Sequence, residues 1–288
     1  MATLKDISLR MSSIKNTMQI TKAMKMVAAS KMRRAEESIT QSRPYSEKLR
    51  SIISNLSTGI DESAHPLLKK REGGKAVFLL ITTDRGLCGG LNVNLCKKLN
   101  AFLSDQSNGF EEAELITFGK KGTEFFKKRG GNVVESFRDM KDNEREDALK
   151  NTVRDLIKKY VEGEFNHLYL AYNRFNNVVS QTSIIKQVLP IEPPSEETTT
   201  PESSTEFIFE PSGAAILDAI LPQYVENQAF TGLLDNNASE HAARMTAMDS
   251  ATTNASDMLD RLQIQYNRAR QAAITSELIE IISGAEAV

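Results

Sequence analysis

The chain has no tryptophan, two cysteines and three histidines in 288 residues. Cys88 and Cys96 have neither CxxC nor metal-ligand spacing, which argues against a disulfide framework or a zinc site and predicts reduced thiols in a cytosolic protein. His65, His167 and His241 fall in three separate segments without HxxxH or HExxH spacing, so no metal-hydrolase pattern forms. No run of about 18 apolar residues is present to span a membrane. The start, MATLKDISLR, lacks the apolar core of a signal peptide. The expectation is a soluble chain that can still dock on a membrane complex.

Breakers are missing where a compact domain would use them. From Met1 to Arg43 there is no Gly, Pro or aromatic residue. From Leu233 to Ser283 there is again no Gly or Pro, and the one aromatic is Tyr266. Nine of the ten Met fall in these two segments, while all twelve Phe lie between Phe78 and Phe230. Two long terminal helices flanking a separate domain follow from this distribution.

Charge is asymmetric beneath a net value of −2. Residues 1–50 carry eleven Lys/Arg against four Asp/Glu, and the last fifty or so contain no Lys. A basic helix beside a mildly acidic one favours mutual pairing, or a basic face meeting an acidic partner. A nucleic-acid binder is the rival reading, weakened because the basic arm has no aromatic to stack on a base.

The first arm carries a 3,4 seam of Leu4, Ile7, Met11, Ile14 and Met18, as in positions a and d of a coiled coil. Continued in register, it passes through Thr21, Lys25, Ala28, Met32 and Ala35, turning polar and small. A second stripe, Ile20, Met24 and Val27, lies on a neighbouring face, so this helix is expected to touch more than one partner. Pro44 should kink the helix or end its first section; Leu49, Ile52, Ile53 and Leu56 then resume the period. The second arm has its own seam: His241, Met245, Met248, Thr252, Ala255, Leu259, Leu262, Tyr266, Ala269 and Ala273. From Ser212 to Ser283 it would measure roughly 105 Å if unbroken, against roughly 60 Å for the first arm up to Arg43. If the two run antiparallel from one domain, the longer must project alone. Its tip, Ile274, Leu278, Ile279, Ile281 and Ile282, is its most apolar part and needs a partner.

Between the arms, Ala76–Thr82 is a continuous apolar run, the signature of a strand buried on both faces. Further strands are expected at Glu114–Phe118, Asn132–Phe137, His167–Tyr172 and Ser180–Leu189, with a short last one at Glu206–Glu210. Helices are expected at Asn92–Ser104, Lys120–Arg129 and Glu144–Tyr160. Strands alternating with helices of this length imply a parallel, Rossmann-like sheet. The fold class is therefore α/β: a long antiparallel coiled coil of N- and C-terminal helices with an inserted Rossmann-like domain. The expected domains are residues 1–58, 74–210 and 211–288, and the second contains an acidic loop over 192–206. That loop holds five Glu, three Pro and no basic residue, a composition that cannot bury a core.

The turn from Thr82 to Asn92 (TTDRGLCGGLN) has the glycines of a phosphate cradle. Its spacing fits neither G-x-G-x-x-G nor G-x-x-x-x-G-K-[ST]. A nucleotide-binding α/β enzyme with coiled-coil arms is the alternative this turn leaves open; glycines that let the turn take positive φ are the bland one. Asp84 and Arg85 suit a structural salt bridge better than catalysis. No catalytic constellation emerges. The methionines read first as core filler, with a changing contact surface as the functional alternative. Arg244, Arg268 and Arg270 default to solvated surface, with bidentate contact to partner carboxylates as the functional alternative.

Four segments in this order, Thr21–Met32 (TKAMKMVAASKM), Asp84–Asn92 (DRGLCGGLN), Ala238–Met248 (ASEHAARMTAM) and Asn267–Thr275 (NRARQAAIT), resemble the gamma subunits of proton-translocating ATP synthases. The resemblance runs nearly end to end. It implies a non-catalytic rotor shaft whose coiled coil enters a ring of alternating alpha and beta subunits, with the α/β domain at the foot beside the epsilon subunit and the c-ring. Met24 is similar to the family residue facing the acidic lever loop of the beta subunit, and Arg244 to a residue coupled to that region. Arg270, Gln271 and Thr275 resemble residues meeting catch loops higher in the ring. Phe207 and Glu210 resemble foot residues on the c-ring side, where the family member aligned there has Tyr in place of Phe207. The resemblance implies no catalytic, cofactor or metal residues, no nucleic acid, and membrane association only through the complex. The acidic loop lacks the paired cysteines of plant-type members, so thiol regulation is not expected. This, with the absence of a transit peptide, implies the cytoplasmic face of a bacterial plasma (inner) membrane.

Overall fold

The computed structural model describes residues 3–57, 65–71, 73–105, 109–192 and 213–286. In chain order the elements are α1 (Leu4–Ser57), β1 (Lys75–Ile81), α2 (Leu91–Ser104), β2 (Glu112–Phe118), α3 (Lys120–Lys127), β3 (Val133–Phe137), α4 (Asp142–Glu162), β4 (His167–Phe175), β5 (Gln181–Leu189) and α5 (Gly213–Glu286). Contacts divide the chain into two compact units, Met1–Ser30 with Arg244–Val288, and Lys31–Ala243. The expected strand at Glu206–Glu210 and most of the acidic loop lie outside the described residues.

In the α/β unit the strands form one sheet in the order β3-β2-β1-β4-β5. β1, β2, β3 and β4 are mutually parallel, while β5 runs antiparallel to β4. The reversal has a simple cause. Only the short turn Asn176–Ser180 joins β4 to β5, whereas a parallel return needs a crossover of a dozen or more residues. Asn177 Oδ1 closes that turn by accepting from the N–H groups of Val179 and Ser180.

The apolar run of β1 is buried on both faces, as its composition predicts. Val77, Leu79 and Ile81 pack with α4, α5 and Ile53 of α1 on one side. Ala76, Phe78 and Leu80 pack with Leu95, Cys96 and Leu99 of α2 and Phe126 of α3 on the other. The side of α5 facing the sheet is made of Leu217, Leu221, Val225, Ala229 and Leu233. Helix and sheet approach so closely that a Cβ at Gly232 would lie 2.8 Å from Leu170 Cδ2 and 3.4 Å from the Tyr172 ring.

Pro44 does not end α1, which continues through it to Ser57. Its side chain is on the exposed face, while Ile39, Leu49 and Ile53 are buried to either side of it. Packing of the apolar residues on either side of it outweighs the lost N–H. Pro222 likewise sits inside α5 without stopping it. The start of α1 is fixed by a reciprocal pair: Thr3 N–H donates to Asp6 Oδ2 and Asp6 N–H to Thr3 Oγ1. Hydrogen bonds from the Thr3 side chain and then its backbone N–H hold the Asp6 carboxyl below the usual carboxylate range.

In the helical unit α1 and α5 pair antiparallel. Thr21 Oγ1 meets Thr252 Oγ1 at 2.8 Å, and Lys25 Nζ bridges Asp249 Oδ1 at 2.5 Å. An advance of four residues on one helix matches a retreat of three on the other. Covered positions follow the predicted seams: Leu4, Ile7, Met11, Ile14, Met18, Thr21, Lys25 and Ala28 on α1, and Met245, Met248, Thr252, Ala255, Leu259, Leu262, Tyr266, Ala269 and Ala273 on α5. The hydroxyl pair in the middle of an otherwise small and flexible seam is the kind of polar contact that fixes register.

Asp235 of the α/β unit is a half-buried acid. Burial pushes the Asp235 carboxyl of α5 up to about 6, partly offset by Arg174, Arg43 and the N–H of Phe175. The folded value lies above the unfolded 3.8, so the native state holds the proton more tightly. The stability this group contributes is full below the unfolded value and is lost as pH rises through about 6. Asp235→Asn is expected to flatten the pH dependence of urea unfolding across that window; an unchanged slope contradicts the assignment.

Candidate partner-contact surface

The glycine-rich turn at the carboxyl end of β1 sits where open α/β sheets bind ligands, at the reversal of strand order between β1 and β4. Its side chains are engaged with the rest of the fold. Asp84 Oδ1 accepts from Lys120 N–H at 2.9 Å, capping the first turn of α3, and Asp84 Oδ2 pairs with buried Arg145. Asp84 thus bonds Arg145 across the fold, rather than its neighbour Arg85. Asn92 Oδ1 accepts from Thr83 N–H at 3.1 Å, and Asn92 Nδ2 donates to Thr83 Oγ1 at 2.8 Å and Cys88 Sγ at 3.3 Å. Thr82 Oγ1 donates toward Phe118 O and accepts from Gly122 N–H. A Cβ at Gly119, where φ is +103°, would lie 2.3 Å from Thr82 O. These contacts tie Thr82, Thr83, Asp84 and Asn92 into the hydrogen bonding of the fold itself.

The remaining reactive side chains are also structural. Cys88 and Cys96 are buried and free, and burial pushes the Cys96 thiol up to about 12. His65 accepts from Leu67 N–H at Nδ1 and lies 3.2 Å from Asp218 through Nε2, which fixes the neutral tautomer. Burial holds His65 and His167 below the usual histidine range. Among the described residues no group of three His, Cys, Asp or Glu is placed to hold a metal ion, and no helix is long and apolar enough to cross a membrane.

What the helical unit offers instead is exposed surface. Ala273 is the last residue of the α5 seam with any cover, and residues 274–283 are all exposed. Ile274, Leu278, Ile279, Ile281 and Ile282 each expose about half or more of their surface. From the pairing of Thr21 with Thr252, the start of α1 falls level with residues near 269, so α5 overhangs by about 25 Å. On α1 the second stripe is only partly covered: Ile20 and Val27 are exposed and Met24 is half-buried.

The residues singled out in the sequence occupy different levels. Met24 lies near the level of Asp249, to which its neighbour Lys25 is bonded. Arg244 is buried, so the solvated-surface default fails for it. Arg268, Arg270, Gln271 and Thr275 are exposed, and Thr275 Oγ1 donates to Gln271 O at 2.8 Å. Gln271 and Thr275, four residues apart, share a face of α5, with Arg270 one residue around the helix. That group stands about 30 Å along α5 from the Met24 level. Phe207 and Glu210 lie outside the described residues.

Sequence reasoning missed a buried polar cluster joining β4 to α5, made by Asn173, Ser183, Asn236 and Ser239. The signal was present: Asn236 and Ser239 fall in register with Ala229, Leu233 and Ala242 on an apolar helix face, where a polar side chain needs a specific partner.

One unit is a pair of antiparallel helices; the other is an α/β unit whose glycine-rich turn is tied by its own side chains. Residues 3–288 match the family described as ATP synthase. Over its whole length the chain is 46% identical to the ATP synthase gamma chain of Geotalea uraniireducens, covering 99% of it. It is 45% identical to that of Pelotomaculum thermopropionicum, covering both chains fully. The chain belongs to the ATP synthase gamma-chain family. Solved structures share the fold: a chain of the Euglena gracilis mitochondrial ATP synthase in rotational state 3 has a TM-score of 0.68 at 18% identity, covering 99% of this chain and 94% of that one. A chain of the Tetrahymena thermophila central stalk and c-ring has a TM-score of 0.59 at 21% identity, covering 81% and 99%.

Proposed function

We propose that this chain is the central rotor shaft of an ATP synthase, coupling proton flow through a membrane ring to ATP synthesis in an alpha/beta ring, and that it hydrolyses nothing itself. The observation that carries this reading is the lone apolar tip of α5. A helix end with five exposed Ile and Leu side chains is unstable in water and suits an apolar sleeve. Non-directional contacts there allow turning without a preferred angle. Membership of the gamma-chain family supports the same role.

On this reading the paired helices form a coiled coil that enters the alpha/beta ring. Met24 and Arg244 act at the level of the beta-subunit lever, and Arg270, Gln271 and Thr275 meet catch loops nearer the tip. Phe207 and Glu210 lie on the c-ring side of the foot, beside the epsilon subunit. The chain is held at the cytoplasmic face of the bacterial inner membrane through its partners, and it binds no nucleotide and no nucleic acid. Affinity isolation of the tagged chain from its own membranes tests the assignment. One copy per ring of alpha and beta subunits is expected; recovery of the chain alone with bound ATP would instead support the enzyme reading.

A further inference from the structure

The α5 helix must be held to the sheet at a fixed angle if it is to pass on a twist, and most of its packed face cannot do that. Leu217, Leu221, Val225, Ala229, Gly232 and Leu233 give close but non-directional contact, and small side chains permit sliding and turning. Glu226 and Gln228 of α5 reach exposed partners, Arg154 of α4 and Lys186 of β5. The buried hydrogen bonds from α5 to the sheet lie, among the described residues, in a short stretch from Asp235 to Ser239.

β4 outlasts its neighbour. Its register with β1 ends at Leu80↔Ala171, while its pairing with β5 continues to Phe175↔Gln181. Beyond Ala171, side chains of α5 bond this end of the strand directly. Ser239 Oγ donates to the backbone carbonyl of Asn173 at 3.0 Å. Asn236 Oδ1 accepts from Asn173 Nδ2 at 3.1 Å, and Ser183 Oγ of β5 donates to Asn173 Oδ1 at 2.9 Å. The Asp235 carboxylate accepts from the N–H of Phe175. Asn173, Asn236 and Ser239 are each no more than 1% exposed, so these bonds are not exchanged with water. Three residues of one helical turn therefore bond two alternate residues of one strand. Turning α5 by one residue rotates it about 100°. That would break all three α5–β4 bonds and leave buried donors and acceptors unpaired.

We propose that Asn173, Asn236, Ser239 and Asp235 form a rotational key that fixes the angle of α5 against the sheet and carries torque between them. These are positioning residues, and the proposal rests on the rotor reading above. Buried polar contacts are best attested as devices that set register, whereas apolar packing supplies most of the stability. One donor, Asn236 Nδ2, has no hydrogen-bond partner in the cluster.

The test uses the assembled complex with its alpha/beta ring immobilised. A bead is attached through Val179→Cys in the β4–β5 turn, a position 85% exposed. With the ring locked by a non-hydrolysable nucleotide, the angular spread of the bead measures torsional stiffness. Asn236→Leu with Ser239→Ala is expected to widen the variance about twofold, because it removes two of the three bonds between α5 and β4. Ser239→Ala alone loses one hydroxyl at a helix-favouring position and is expected to widen it less. Asp235→Asn keeps an acceptor for Phe175 N–H and is expected to leave the variance at the parent value, while Asp235→Leu widens it. An unchanged spread in Ser239→Ala and Asp235→Leu, with only the urea midpoint lowered, would reduce the cluster to a stabilising role and overturn the key. A parent complex whose shaft never turns under ATP fails the rotor reading itself, a distinct result.

Discussion

Asp84→Ala is expected to lower the unfolding free energy of the isolated chain by about 3–5 kcal/mol, the largest effect of any single change outside the apolar core. The Arg145 and Asp84 side chains are only 8% and 12% exposed. Removing the carboxylate leaves a buried guanidinium without its countercharge and strips the cap from Lys120 N–H at the start of α3. Removing both charges is gentler: Asp84→Ala with Arg145→Met takes away the orphaned cation along with its partner. The double variant should recover a substantial part of the loss. Urea unfolding of the three proteins checks this, with the slope on denaturant held constant. A double variant less stable than Asp84→Ala would mean Arg145 is held by contacts other than Asp84.

The second large effect belongs to function. Arg270→Glu with Gln271→Ala and Thr275→Ala alters exposed side chains of the helical unit and should leave chain stability within about 0.5 kcal/mol. Assembly is expected to survive. If these residues meet a charged loop in the ring, reversing Arg270 turns an attraction into a like-charge contact that costs several kcal/mol where it is desolvated. ATP-driven proton pumping per ATP hydrolysed should then fall several-fold in membrane vesicles. Parent-level pumping by the triple variant would remove these three residues from the contact surface.

The helical unit was the more legible part of the sequence. Every seam position read between Leu4 and Ala28, and between Met245 and Ala273, is covered, because a two-helix contact is dictated by local periodicity alone. The uncovered tip followed from the unequal length of the arms. In the sheet, β1 was legible from its apolar run, and the five strands lie within a few residues of their expected bounds. The antiparallel β5 was not foreseen, although the short turn before it dictates that direction. Pro44, expected to kink α1 or end its first section, does not end it. Propensity is a local cost, and Ile39, Leu49 and Ile53 outweigh it through contacts distant in sequence. The Asp84–Arg145 pair and the Asn173–Asn236 bond join residues 61 and 63 apart, so local pattern carries no record of them. Each was visible as half a signal: a charge in a glycine-rich turn, and an amide on an apolar helix face.

The same structure settles how the central claim is best tested. Both native cysteines are buried, so a bead attached at Val179→Cys labels one point of the α/β unit. With the alpha/beta ring fixed to a surface and ATP supplied, the bead is expected to turn continuously in one direction, at a rate that rises with ATP until hydrolysis saturates. ATP hydrolysis by the same labelled complexes with a stationary or randomly fluctuating bead would contradict the account.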